Sequence, residues 1–318
     1  MKKIMASLVA IAALVGCSKS DDNGGISISE GTFPKKIVNK GSNGNVTNET
    51  IYNLQGGKIL STTSISYKPD GSIESKSLIS ASYEGDYPKE ITHTESITNG
   101  EKKNYTETYS FVDGKLKTTI KKYDNSDRAT TTTYSYHNDG KLAKVLFEEP
   151  GNAGQNGQIE KITFVTETDY THTGNVISAA EKTYTKDAQG NKRDGNTSLT
   201  TYTYTFENDN LIKVTESTTD HESTTEYTYD GKNNPNLQNF IKLVNPNYFI
   251  STSGSKNNIL TQKTTYKGSH NASPYVSEYV YEYTYADNNY PLTEKVFRKR
   301  TENGVEKKEL VLTKEYTY

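Results

Sequence analysis

From about Tyr52 to Tyr318 the chain alternates bulky and polar residues with a period of two, as in Tyr134-Ser135-Tyr136 and Tyr202-Thr203-Tyr204. That period gives a strand one aromatic face and one polar face, and so predicts β-structure nearly throughout. Two aromatics two apart recur before a turn built on Asp or Asn with Gly, and an apolar-lysine strand follows. Tyr109-Ser110-Phe111-Val112-Asp113-Gly114-Lys115-Leu116 is one copy, and Tyr134 to Leu142 repeats it. Looser copies are Tyr67 with Asp70-Gly71, Tyr170 with Gly174-Asn175, Tyr204 with Asp209-Asn210, Tyr229 with Asp230-Gly231, and Tyr285 with Asp287-Asn288. Asp-Gly supplies the positive φ of a tight hairpin, so each unit reads as one hairpin. The spacing between units is too irregular for a strict solenoid and suits a meander. The expected fold is all-β: consecutive antiparallel hairpins forming a large twisted sheet or an incompletely closed barrel. Gly151, Gly154 and Gly157 mark one expected loop and Asp187 to Gly195 another, and neither divides a single domain over 30–318.

One segment departs from the alternation. Leu237, Phe240, Ile241 and Val244 fall at i, i+3, i+4 and i+7 after Asn234-Pro235, which predicts one short helix near 235–244 that plugs the inner face or open end of the sheet. Composition agrees with strands. Tyrosine is abundant at 25 residues, tryptophan is absent, and the hydrophobic fraction is only 31%. Aromatic and β-branched residues fit a pleated surface, and their abundance argues against disorder. With 37 Lys and Arg against 39 Asp and Glu, a formal net charge of −2 excludes the basic surface of a nucleic-acid-binding protein.

The start of the chain has another character. Lys2 and Lys3 precede an apolar run from Ile4 to Val15 that ends in Leu14-Val15-Gly16-Cys17, and Cys17 is the only cysteine. The layout is that of a secretory signal, and with cysteine at the cut it resembles a bacterial lipoprotein signal with its lipobox. The resemblance implies removal of residues 1–16, a diacylglycerol on the Cys17 thiol and an acylated amino terminus. Two or three chains would hold the protein to a bilayer, since each buried methylene contributes about 0.8 kcal/mol. Residues 17–29 read as a disordered tether. Within it Lys19, Asp21 and Asp22 resemble the signal that exports lipoproteins of Bacteroidota to the outer face of the outer membrane. The alternative is a periplasm-facing anchor.

The hairpin units, including Tyr229-Asp230-Gly231-Lys232 and Tyr283-Thr284-Tyr285-Ala286-Asp287-Asn288, resemble the YD or RHS-like repeats of Bacteroidota lipoproteins. The chain is too short and irregular to carry over the closed toxin-enclosing shell of true RHS proteins. Catalytic motifs are absent from the sequence. His93, His137, His172, His221 and His270 are scattered without metal-ligand spacing, and no serine elbow or phosphate loop occurs. No catalytic residue, metal or cofactor is therefore expected. Tyr279, Tyr281, Tyr283 and Tyr285 are the candidate binding face: on one side of a strand they could stack on sugar rings or a partner, or supply the buried side of the sheet. The resulting expectation is a lipid-anchored binding or structural module of the cell envelope, with a glycan or envelope protein as partner. Two alternatives stand beside it. A periplasm-facing carrier would show a cavity lined by aliphatic side chains, and a surface glycosidase two facing carboxylates.

Overall fold

The computed structural model describes residues 28, 31–97, 104–124, 126, 128–155, 158–193, 197–238, 241–268, 273–302 and 305–318. Cys17, Lys19, Asp21, Asp22, Phe240 and His270 lie outside the described residues, as do residues 1–16 and all of 17–29 except Ile28.

The strands are β1 (Lys36–Gly41), β2 (Val46–Gln55), β3 (Lys58–Tyr67), β4 (Ile73–Glu84), β5 (Tyr87–Ile97), β6 (Tyr105–Val112), β7 (Lys115–Tyr123), β8 (Ala129–Tyr136) and β9 (Leu142–Gln155). They continue as β10 (Gln158–Thr173), β11 (Val176–Lys186), β12 (Ser198–Glu207), β13 (Asn210–Ser217), β14 (His221–Tyr229), β15 (Ile259–Gly268), β16 (Tyr275–Tyr285), β17 (Pro291–Glu302) and β18 (Val305–Thr317). Each pairs antiparallel with its neighbours in sequence, and β1 pairs with both β2 and β18. The all-β antiparallel meander is as expected, but the sheet is not open: the eighteen strands close into one barrel. Closure satisfies the two edges that an open sheet would leave unpaired.

The alternation separates two environments. Following the register round the ring, Tyr316, Ile37 and Thr50 face one another, then Tyr52 and Thr62, Ile79 and His93, and Glu107 and Lys121, all on the inner side. The outer side carries threonine, serine and cross-strand ion pairs. Lys36 meets Glu49 at 3.0 Å, Lys186 meets Glu148 at 2.7 Å, and Lys144 meets Glu167 at 2.9 Å and Asp169 at 3.3 Å. Apolar residues on that side, such as Ile51, Leu78, Ile120 and Leu199, stand among these polar neighbours. A membrane-spanning barrel needs an outward apolar band flanked by aromatic girdles, and the described outer wall has neither.

The repeated hairpin marks one end of this barrel. There the even strands turn into the odd ones, and the second aromatic of each unit pairs with the apolar residue after the turn: Phe111 with Leu116, Tyr136 with Leu142, Phe206 with Leu211, and Tyr229 with Ile259. Leu54 with Ile59, Tyr83 with Pro88, His172 with Ile177, and Tyr285 with Pro291 continue the ring. In all of these except the His172 pair the register shifts by a bulge just before the first-named residue, which bends the strand and raises its twist. Asp113 and Gly114 take φ of 50° and 73°, as a two-residue turn requires. The Tyr67 unit does not belong to this series. Tyr67 sits at the opposite end of β3, beside Glu49 on the outer wall, because local turn chemistry does not distinguish the two ends of a barrel.

Of the helix expected near 235–244, the described residues form two short turns of different type. A 3₁₀ turn spans Pro235–Gln238 and an α-helical turn Ile241–Val244, followed by 3₁₀ turns at Pro246–Ile250 and Thr252–Gly254. Together they plug the turn-rich end. The α-helical turn packs on β5 and β7, Val244 joins Ile59 and Ile91, Ile250 joins Leu116 and Tyr170, and Phe249 stacks on His172 at 6.3 Å. Polar bonds fix both stems. Asp230 accepts from the Lys232 and Asn258 backbone N–H groups at 2.9 and 3.1 Å and from the Tyr285 hydroxyl, and the Leu211 N–H donates to Ser255 Oγ at 3.1 Å.

The loop expected at Gly151 and Gly154 is instead strand, at the far end of β9. A side chain at Gly151 would meet the Phe164 ring at 2.5 Å, so the aromatic covers the glycine and completes the ladder that the sequence reads as a break. Asp187 does open a turn, as expected, with its carboxylate accepting from the Gln189 and Asn191 N–H groups at 3.0 and 2.8 Å. Ile28, inside the expected tether, is instead buried beside Phe33, Ile59 and Ile91.

Candidate functional site

A barrel of eight strands is filled by its own side chains, whereas one of sixteen to eighteen leaves an interior they cannot span. Here the plug and the aromatic ring occupy the turn-rich end, and the lumen toward the other end is the concave feature that can hold a ligand. Its floor is tyrosine. Tyr52, Tyr109, Tyr134, Tyr170, Tyr204, Tyr227, Tyr283 and Tyr316 are the first aromatics of successive units, and burial raises the pKa of each phenol.

The second aromatics lock the floor in place. Tyr83 donates to the Ile59 carbonyl at 2.8 Å, Tyr136 to Leu116 at 2.8 Å, Tyr229 to Leu211 at 2.6 Å and Tyr318 to Pro291 at 3.1 Å. His172 occupies the same position in its unit, and its Nε2 bonds the Leu142 carbonyl at 2.8 Å. Two more histidines have structural partners: His137 Nε2 lies 3.1 Å from the Tyr170 carbonyl, and His221 Nε2 is 3.3 Å from Glu216.

Tyr279, Tyr281, Tyr283 and Tyr285 all lie on the inner face of β16, running from the mouth side down to the plug. Tyr283 stacks on Tyr285 with ring centres 5.7 Å apart, and Tyr281 donates to Gln262 Oε1 at 3.0 Å. Burial pushes Tyr281 up to about 12; for Tyr283 burial acts first and the nearby Glu294 carboxylate adds to it. The ladder therefore faces the lumen and not the exterior.

Above the floor the lining becomes hydroxyl and charge. Thr50, Thr62, Thr132, Thr168, Thr225 and Thr264 face inward by register, interspersed with carboxylates that the sequence reading did not single out. Glu107 accepts from the Tyr109 hydroxyl at 2.6 Å and lies 3.7 Å from Lys121, whose ammonium stands 3.5 Å from the Tyr105 ring centre. His93 stacks on that ring at 4.5 Å. Glu294, only 6% exposed, accepts from Lys314 and from the Tyr316 hydroxyl, both at 2.7 Å. Once the inner face is known, the strand alternation identifies these groups; without closure, either face of each strand could be the outer one. Among the described residues no group of three or more His, Cys, Asp or Glu side chains converges as a metal site, and no helix is long and apolar enough to cross a membrane.

The chain is thus an eighteen-stranded antiparallel cup with polar walls, closed at one end by its own inserted segment. No protein-family model matches it, nor does any curated protein. Among solved structures it is similar to a porin-like protein from Bacteroides vulgatus, at 14% identity and a TM-score of 0.37, over 90% of this chain and 98% of that one. A porin-like protein from Bacteroides uniformis is similar at 12% identity and a TM-score of 0.38, over 89% and 96%. Likeness of this degree carries no role across.

Proposed function

We propose that the protein is a lipid-anchored, non-catalytic binding cup of the cell envelope, held to the outer membrane through Cys17 and displayed on the cell surface, with a glycan entering its lumen. The polarity of both faces of the barrel wall carries this reading. An ion-paired, threonine-rich outer wall is costly in hydrocarbon, so the lipidated cysteine supplies the membrane attachment that the barrel does not. The inner wall combines tyrosine rings, hydroxyls and a few charged groups, the mixture that stacks on sugar rings and bonds their hydroxyls. An aliphatic cavity, which a lipid carrier would need, is not what these side chains build.

Two experiments test the reading. Protease shaving of intact cells should remove the barrel without lysis, and a Cys17→Ala variant should leave the membrane fraction under a carbonate wash; full protection sinks surface display, and retention of the variant sinks the lipid anchor. Binding of soluble envelope polysaccharides, followed by calorimetry, should weaken by about tenfold in Tyr279→Ala, the loss expected for one aromatic contact. Equal affinity in the variant removes that ladder from the site.

A further inference from the structure

The described chain enters the barrel at its closed end. The Ile28 N–H donates to the Gly57 carbonyl at 2.8 Å, at the tip of the β2–β3 turn. Ile28 and Phe33 are 8% and 2% exposed and pack with Ile59, Ile91 and the plug residue Val244. At the β16–β17 turn, Asn288 Nδ2 donates to the Gly31 carbonyl at 3.0 Å. Ile28 and residues 31–33 are therefore part of the floor, bonded to turns on two hairpins.

Cys17 precedes Ile28 by eleven positions. Eleven residues span at most about 40 Å however they are arranged. The wall itself is roughly 30 Å tall, since a twelve-residue strand such as β4 rises ~3.3 Å per residue at a tilt near 40°. To bring the mouth to the bilayer, the linking residues would have to run back along most of that height, near full extension. Holding the floor to the bilayer requires no such stretching.

We infer that the mouth of the cup faces away from the membrane that anchors it, so that the lumen takes a polyhydroxylated chain from the aqueous side and not the headgroup of a lipid in its own bilayer. This rests on the anchoring through Cys17 proposed above. Orientation and anchoring fail in different ways. With Cys17 lipidated, Asn138→Cys in the β8–β9 turn and Thr219→Cys in the β13–β14 turn each offer one free thiol, the first at the floor and the second at the mouth.

The lipidated variants, labelled with a donor fluorophore, are reconstituted into phosphatidylethanolamine and phosphatidylglycerol vesicles containing a lipid-linked acceptor. Quenching at Asn138→Cys should exceed that at Thr219→Cys by at least about twofold, given a wall of roughly 30 Å. Adding a glycolipid to the same vesicles should leave the mouth donor unchanged. Equal quenching at the two sites, stronger quenching at the mouth, or a rise there on adding glycolipid overturns the inference while leaving the anchor intact. Protein that does not float with the vesicles overturns the anchor and the inference together.

Discussion

At the scale of single residues, Tyr83, Tyr136, Tyr229 and Tyr318 each do two jobs: the ring fills the floor, and the hydroxyl satisfies a backbone carbonyl of the neighbouring hairpin. Tyr229 shows both, donating to the Leu211 carbonyl at 2.6 Å with Ser255 Oγ at 3.1 Å. Tyr229→Phe keeps the ring but leaves these partners short of a donor, and a cost of about 1–2 kcal/mol is expected in chemical denaturation. A loss below the error of such a measurement would mean that water replaces the hydroxyl. The aromatic spacing that identifies these tyrosines was legible in the sequence because it is a local pattern of period two. Which face would be buried was not, since both readings of the 279–285 ladder satisfy that period. Glu107 and Glu294 were hidden for a related reason: an inward carboxylate on an alternating strand differs from an outward one only by its neighbours in space.

At the scale of elements, the plug depends on its tight turns more than on helical periodicity. The i, i+3, i+4, i+7 spacing from Leu237 to Val244 located the segment and its inward use, but Asn245-Pro246 follows within a turn, and the residue before a proline is biased out of the helical region. Asn245 instead caps the next 3₁₀ turn by accepting from the Asn247 N–H. Gly254 then packs so closely that an added methyl would lie 2.4 Å from the Tyr248 carbonyl oxygen. Since the obstacle is backbone, Gly254→Ala should cost about 1–3 kcal/mol and raise amide exchange in the 241–258 segment. Unchanged exchange there would show that the plug tolerates a shift. Gly151 makes the opposite point: glycine marks turns statistically, but here it is strand beneath Phe164, and a contact across a hairpin is invisible to a local reading.

At the scale of the whole molecule, stability is tied to keeping the tyrosines neutral. Burial pushes Tyr83, Tyr170, Tyr229 and Tyr281 up to about 12, and raises Tyr109, Tyr283 and Tyr316 further with help from Glu107 or Glu294. For groups whose folded pKa lies above the unfolded value near 10, the stabilisation is complete below that value and is lost as pH rises through the folded pKa. Stability should therefore hold through neutral pH and fall steeply above about pH 10, with tyrosinate absorbance and loss of β-sheet circular dichroism appearing in one step. Gradual phenol ionisation in an intact barrel would contradict the buried floor. Closure itself was beyond the sequence, because it joins Lys36 to Thr317 and Ile37 to Tyr316, residues with no shared local pattern. Yet the seam resembles the other units: Tyr316-Thr317-Tyr318 supplies the aromatics, and Phe33-Pro34, with Pro34 fully buried like Pro88 and Pro291, leads into β1. One hairpin of the ring is thus written in β18 and in the residues that lead into β1, and its halves meet only when those distant segments come together. Until then the folding chain carries two unpaired strand edges and an uncovered tyrosine floor, which makes the final pairing a slow, high-contact-order step and the interval before it the time of greatest exposure to aggregation.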